Sequence, residues 1–327
     1  MSPETLLRRL ADGAPHSGAD LAREFGVSRA AVWKQIGKLG AWGVNVAARP
    51  GQGYRLEQAI DLLDRERLAA AVAGPLGKRV RCIDVFTELA STNRYLLERG
   101  SPEPGRLDAC IAEFQTAGRG RRGRAWRGPL GTGLCLSAAW QFVEAPPQLA
   151  ALTLAVGVVA RRVINAYAGI DIRLKWPNDL VFEDRKLGGI LLEISAEAQG
   201  GCHVVAGLGI NVAMPAGSLV GLSDWPQGAT DLREATAGRP PSRTALVLAL
   251  VEALAGLFAD YAHAGFSAYR AEWQRADYLC GRSIRLEEAD GTSVGTAAGI
   301  EPDGALLIEL AGGARRRVIS GDVSVRS

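Results

Sequence analysis

Between Ala117 and Gly133 the chain reads AGRGRRGRAWRGPLGTG, with six glycines, five arginines and one proline. A helix does not run through that composition, because each interior glycine costs roughly 1 kcal/mol and proline about 3. The stretch is therefore a loop, flanked by two apolar strand-like segments, Cys110–Phe114 and Leu134–Phe142. That setting constrains its use. Gly118, Gly120 and Gly123 match the spacing G-x-G-x-x-G, but a dinucleotide turn must open a helix so that pyrophosphate meets the helix N-terminus. No Gly-Lys-Ser/Thr occurs, so a Walker loop is also excluded. An arginine-rich RNA-binding tail needs a disordered, repetitive setting, which a loop between two buried strands does not offer. What remains is a loop that closes over a small anionic ligand, with a solvated basic loop as the bland alternative. Its glycines let backbone N–H groups approach, and its arginines offer bidentate bonds to carboxylate or phosphate.

Two more glycine-marked strand ends accompany it. In RLKWPNDLVFEDRKLGGILLE, Pro177 biases Trp176 towards extended geometry and Asn178-Asp179 makes a turn. Lys186 then opens a strand in which Gly188-Gly189 would leave bare backbone for a ligand. In GLGINV, Gly207 and Gly209 offer the same, with Asn211 as the polar end. Each is compatible with an ordinary turn; three in one sheet point to a binding site.

The N-terminal part reads differently. Leu6, Leu7 and Leu10 mark a first helix, Ser17 caps a second, and Ser28 caps a third with Val32, Ile36 and Leu39 as its buried stripe. Two short helices across Gly26 make a helix-turn-helix. VNVAARPGQGYRL, Val44 to Leu56, then reads as a hairpin with its tip at 49–53, the pattern of a wing. Ser28, Arg29, Lys34, Gln35, Lys38 and Arg49 are the candidate DNA contacts, Arg29 at base edges and the lysines at phosphates. Trp33 suits packing or DNA equally. Charge agrees with an anionic partner here: residues 1–60 hold eight Lys/Arg and five Asp/Glu, while the remaining 30 and 30 cancel, leaving the chain's net +3 at this end. A scaffold that binds protein, or nothing, is the competing reading.

Residues 61–277 alternate helix and strand signals. Helices are expected at Asp61–Ala73, Ser91–Arg99, Pro146–Ala166 and Arg243–Arg275. Further strands are expected at Ile172–Trp176, Leu180–Glu183, Gly188–Ser195 and His203–Asn211. Closely spaced strands argue for an α+β fold, a central mixed β-sheet with helices on one side. In residues 278–327, short strands broken by Asp290-Gly291, Asp303-Gly304 and Gly312-Gly313 suggest an SH3-like β-barrel. Five dispersed cysteines, with no CxxC pair, fit a reducing cytoplasmic setting, and three separated histidines give no dedicated metal site. The apolar run Leu149–Ala160 stops at Arg161-Arg162, too short for a membrane span.

ELASTNRYL (Glu88–Leu96), EFQTAGRGRRGRAW (Glu113–Trp126), KWPNDL (Lys175–Leu180), RKLGGILLE (Arg185–Glu193) and GLGINV (Gly207–Val212) together resemble the biotin protein ligases. With the helix-turn-helix in front, the chain resembles their bifunctional class, the biotin operon repressors, over essentially its whole length. The resemblance implies a class II synthetase-like biotin/lipoate ligase fold in the centre. It implies ATP-dependent formation of biotinyl-5′-adenylate, then transfer of biotin to a lysine of a biotin carboxyl carrier protein, the acetyl-CoA carboxylase subunit. It also implies repression of the biotin operon by an adenylate-bound homodimer.

The same resemblance assigns Ser91, Thr92, Asn93, Gln115, Arg119, Gly120, Arg121, Lys186, Gly189, Gly207 and Gly209 to biotin. Gly118, Arg121, Arg124, Trp126, Asn178, Asp179, Lys186, Asn211 and the C-terminal Arg326 fall to ATP or the adenylate, with Trp126 stacking on adenine. Arg121 and Lys186 are the candidate catalytic pair, placing positive charge where carboxylate meets phosphate. Mg²⁺ would be held by ATP, with Asp179 as the protein's candidate contact. A ligase that does not bind DNA and a non-catalytic biotin-sensing regulator are the alternatives, but a sensor of biotin alone would not need phosphate-directed charge. A lipoate-type ligase fits less well, since hydroxyl and amide groups suit a ureido ring better than a dithiolane.

Overall fold

A computed structural model describes residues 1–49, 51–196, 201–219, 225, 227–288 and 291–325. Helices α1 (Pro3–Leu10), α2 (Gly18–Glu24) and α3 (Arg29–Leu39) each begin at a serine whose hydroxyl accepts a backbone N–H: Ser2 from Thr5, Ser17 from Ala19, Ser28 from Ala31. Their apolar faces, with Leu6, Leu7, Leu10, Leu21, Val32 and Leu39, close a small core. Strands β1 (Val46–Arg49) and β2 (Gly53–Leu56) form the expected antiparallel wing. His16 and Tyr54 exchange two backbone bonds of 2.8 Å, adding a third rung that pins the wing to the helices. Gly53 lies at φ 87°, and a Cβ there would run into the His16 carbonyl, so the position demands glycine.

The central unit is built on a seven-stranded sheet. Its strands are β3 (Val80–Leu89), β4 (Leu107–Gln115), β5 (Gly133–Phe142), β6 (Arg173–Lys175), β7 (Asp179–Phe182), β8 (Arg185–Ala196) and β9 (Cys202–Asn211). Their order is β3-β4-β5-β9-β8-β7-β6, with β3 and β4 parallel and every other pair antiparallel. The parallel pair is joined through α5 (Thr92–Arg99), as a crossover requires. Helices α6 (Leu152–Ala168) and α8 (Arg243–Ala264) cover one face and bury a continuous apolar core. By length and composition both could cross a bilayer; here they lie against the sheet. Helices α4 (Arg65–Ala73), α7 (Leu232–Ala235) and α9 (Ser267–Ala276) complete the unit.

Four local readings change. Helices do not sit on one side only: α5 occupies the opposite face, with Leu96 packed among Cys110, Ala139 and Val205. Strand β3 was not expected, because an edge strand is only half buried and its sequence does not alternate. The helix expected from Asp61 starts at Arg65, since Asp64 is its N-cap, and 61–64 lie outside any helix or strand. The long helix expected to Arg275 breaks at Gly265, φ 58°, into α8 and α9.

The C-terminal unit is a five-stranded sheet of order β13-β12-β11-β10-β14. It comprises β10 (Ser283–Glu288), β11 (Gly291–Ile300), β12 (Leu306–Glu309), β13 (Arg315–Val318) and a last strand missed in the sequence, β14 (Asp322–Val325). It shares the central core, and Trp176 donates its indole N–H to the Gly304 carbonyl at 3.0 Å.

Candidate active site

The ends of β4, β5, β8 and β9, the start of α5, the glycine-arginine loop and β14 enclose a cavity of about 540 Å³. One end is neutral and hydrogen-bonded. Ser91 caps α5, so Thr92 and Asn93 fall in its first turn and point at the sheet. The Gln115 side-chain oxygen accepts from the Thr92 backbone N–H at 2.8 Å. Ser137, on β5, donates to Thr92 Oγ1 or Asn93 Oδ1, 2.7 and 2.6 Å away. Asn93 Nδ2 donates to Glu193 Oε2 at 2.8 Å and to the Leu191 carbonyl at 3.2 Å. A Cβ at Gly207 would overlap the Asn93 amide, so bare backbone is what admits that side chain.

The other end is cationic. The loop folds as a miniature hairpin: Gly120 N–H donates to Arg124 at 2.7 Å and Trp126 N–H to Gly118 at 2.9 Å. Arg122 at φ 54° and Gly123 at φ 74° make its tip. Arg121 reaches inward to Asn178, 3.4 Å, whose own amide donates to the Ile190 carbonyl at 2.8 Å. Burial lowers the affinity of the Arg121 guanidinium for its proton, and Asp322 opposes that shift. Arg119 pairs with Glu193 at 3.3 Å, tying the cationic end to the neutral one. Lys186 and Lys175 share Asp179, at 2.7 and 3.7 Å. Burial pushes the Lys175 ammonium below the usual lysine range, Asp179 pulls it back, and the Trp225 ring lies 4.2 Å from it. Trp126 lies flat against Gly209, where a Cβ would overlap the indole.

Sixteen of the residues singled out in the sequence line this one cavity: Ser91, Thr92, Asn93, Gln115, Arg119, Gly120, Arg121, Arg124, Trp126, Asn178, Asp179, Lys186, Gly189, Gly207, Gly209 and Asn211. Gly118 is not among the lining residues; a Cβ there would strike the Trp126 carbonyl and the Gln115 amide, so it shapes the loop instead. Gly189 has ordinary space around it, so close approach does not explain it. Asn211 spends its amide on the Thr230 carbonyl at 3.0 Å. Arg326 lies outside the described residues.

Sequence reasoning missed Lys175, Glu193, Asp322 and Ser137. The first two end motifs already quoted, and Ser137 is the lone hydroxyl in an apolar strand. Asp322 had no local signal, since it acts from another unit. It meets Arg122 at 3.1 Å, Arg121 at 4.0 Å, and Arg124 in a shorter contact. Among the described residues no His, Cys, Asp and Glu are grouped to hold a metal ion.

On α3, Arg29, Lys34 and Lys38 are exposed and Gln35 half-buried; Arg49 is exposed on the wing. Trp33 is 69% exposed on the same helix. It therefore does not serve the small core.

A family profile for biotin/lipoate A/B protein ligases matches residues 85–211, an HTH domain profile matches 4–55, and a biotin protein ligase C-terminal domain profile matches 279–326. The bifunctional ligase/repressor BirA of Salmonella typhimurium is 38% identical, covering 99% of this chain and 98% of that protein. Its Bacillus subtilis counterpart is 31% identical, over 94% and 93%. A biotin protein ligase from Aquifex aeolicus, solved with biotin and ATP, superposes with TM-score 0.61 at 26% identity, over 75% of this chain and 98% of that one. The chain belongs to the biotin protein ligases, in their bifunctional ligase/repressor branch.

Proposed function

We propose that the chain activates biotin with ATP and transfers it to a lysine of a biotin carboxyl carrier protein, and that it represses the biotin operon. The observation carrying the reaction is the polarity of one cavity. A neutral end of hydroxyls and amides suits a ureido ring, with its two N–H donors and one acceptor. A cationic end suits the meeting of two anions. Biotin's carboxylate oxygen attacks the α-phosphorus of ATP, and the bond to the β-phosphate bridge breaks, releasing pyrophosphate. Arg121 and Lys186 offset the repulsion and the charge that grows at phosphorus. Arg119, Gly120, Gly189, Gly207 and Gly209 complete the biotin side. Arg124, Trp126, Asn178, Asp179 and Asn211 serve the nucleotide, with Trp126 leaving Gly209 for the adenine face. No enzyme nucleophile is required, because the carboxylate is already ionised and the adenylate is an activated mixed anhydride.

Mg²⁺ belongs on the triphosphate in this reading, because Asp179 already holds two lysines. Arg29, Lys34, Gln35, Lys38 and Arg49 face operator DNA, with Ser28 fixing the start of the reading helix. A two-fold dimer matches a palindromic operator whose half-sites lie whole turns apart, roughly 10 base pairs or multiples. The protein works in the cytoplasm.

The test is biotin-dependent exchange of labelled pyrophosphate into ATP, with lipoate alongside. Exchange with biotin alone supports the reading; exchange with lipoate corrects the substrate; none with either overturns it. An operator shift that needs both biotin and ATP supports repression, and no shift reduces the chain to a ligase.

A further inference from the structure

A second cavity, about 400 Å³, opens beside the first. One wall is the middle of β8 with Ile190 and Leu192, another the entry to α6 with Ala150 and Leu154, and the third the C-terminal unit with Gly304 and Ile319. Arg121, Pro177, Asn178, Ile190 and Leu191 line both cavities, so the two meet where Arg121 reaches Asn178. Ile319 stands at its surface, 72% exposed.

The reaction needs such an opening. Once the adenylate fills the main cavity, the arginine loop, held across to Asp322, walls one side of it. The adenylate must not leave, yet an amine from a folded protein has to reach its acyl carbon. We propose that the side cavity is the entry for the acceptor lysine, with Leu154, Ile190 and Leu192 taking the side-chain methylenes and Gln148, Thr153 and Asp303 offering polar partners to the carrier residues beside them. This rests on the ligase reading above and deepens it. A protein acceptor fits better than a free small amine, because away from the junction Leu149, Ala150, Leu154 and Ile319 stand together with Gln148, Thr153 and Asp303, a mixed lining of about 400 Å³ that a small amine does not fill.

The step balances as an aminolysis. The ammonium first gives one proton to solvent, which the neighbouring Arg121 charge favours. The neutral amine's electron pair forms the N–C bond to the acyl carbon. The C–O bond to the phosphate breaks, AMP takes that electron pair away, and the second proton leaves the nitrogen to AMP or water as the amide forms.

Ala150 is exposed and lines only the side cavity, so Ala150→Trp blocks it without touching the biotin or nucleotide contacts. Three readouts are measured on the full chain: pyrophosphate exchange, adenylate consumption by hydroxylamine, and biotin transfer to a purified carrier domain. The expected result is a carrier KM raised roughly tenfold or more, with exchange and the hydroxylamine reaction within about twofold of the parent. Ala150→Ser, which leaves the opening clear, keeps the parent KM. An unmoved carrier KM in Ala150→Trp overturns the proposal, as does a parallel fall in exchange, which would make the cavity part of the adenylate site. If the parent chain shows no biotin-dependent exchange, the ligase reading fails and this proposal falls with it; normal exchange with an unmoved KM removes this proposal alone.

Discussion

Arg243 and Glu113 form a buried ion pair, 2.6 Å long, with side chains 1% and 2% exposed. Arg243 also donates to the carbonyls of Gly133 (3.0 Å) and Asp61 (2.7 Å), while Glu113 accepts the Leu63 N–H at 2.7 Å. Glu113 and Gly133 are the two stems of the glycine-arginine segment, and 61–63 is the chain entering from the DNA-binding unit. One pair thus fixes loop stems and linker together. Removing a single partner strands the other charge in an apolar core, at a cost of about 3–5 kcal/mol. Glu113→Ala and Arg243→Ala should each lose that much in urea unfolding. The double variant Glu113→Leu/Arg243→Met should lose clearly less than the sum, because no charge is left behind. Additive losses would mean the two side chains act separately.

Arg121 is the loop arginine that reaches Asn178 inside the site. Charge-assisted bonds contribute roughly 1.5–3 kcal/mol each. Arg121→Gly should therefore release adenylate about ten- to a hundredfold faster, and the escaped anhydride should label bystander proteins. The dissociation rate of labelled adenylate measures this; an unchanged rate would remove Arg121 from adenylate retention.

Asp322 occupies, toward Arg121, Arg122 and Arg124, the place of an anion. Without it the arginines repel one another and the tip loosens. Asp322→Asn should make the empty loop more sensitive to trypsin after Arg121, Arg122 and Arg124. With biotin and ATP present, the ligand's own negative charge should restore protection nearly to the parent level. Equal cleavage of both empty proteins would show that the contact does not order the loop.

These examples also mark what the sequence could and could not convey. The motif residues were legible because chemistry concentrates there: a glycine where an indole or an amide presses on the backbone, as at Gly209 and Gly207, and arginines where apolar strands end. The wing and the helix-turn-helix were legible through serine caps and short-range leucine spacing. Partners distant in sequence were not. Arg243 read as the polar start of an apolar helix, and Asp322 as one more residue in a barrel, because neither carries a local signal of the unit it reaches. Strand β3 escaped for a related reason: an edge strand half open to water has no need to alternate.

The loop's far stem is seated in another unit. Leu130 is fully buried among the N-terminal leucines, its N–H donates to the Trp42 carbonyl at 2.9 Å, and Trp42 donates its indole N–H to Glu88 at 2.5 Å. Leu130 thus plugs the DNA-binding unit four residues from Trp126. Leu130→Ala should cost about 2–5 kcal/mol, lost from the N-terminal core. Hydrogen exchange should rise in α1 and α3 and leave β5 and β9 protected; uniform protection loss would mean the units do not open separately.

Asp277 gives a pH dependence with a definite sign. It is 8% exposed, and burial raises its carboxyl from 3.8 to about 6, against N–H donation from Leu279 and Cys280. The folded chain therefore holds this proton more tightly than the unfolded one. Its favourable contribution is complete below about 3.8, and it is lost as pH rises through about 6. Above that the buried carboxylate is a standing cost, up to about 3 kcal/mol for a shift of this size. Asp277→Asn keeps an acceptor for Leu279 without the charge. It should be more stable than the parent at pH 7.5 in urea unfolding, and the advantage should shrink steadily towards pH 4. A difference that is flat across that range would mean the carboxyl titrates alike in both states; one that grows towards low pH would mean the folded chain holds the anion.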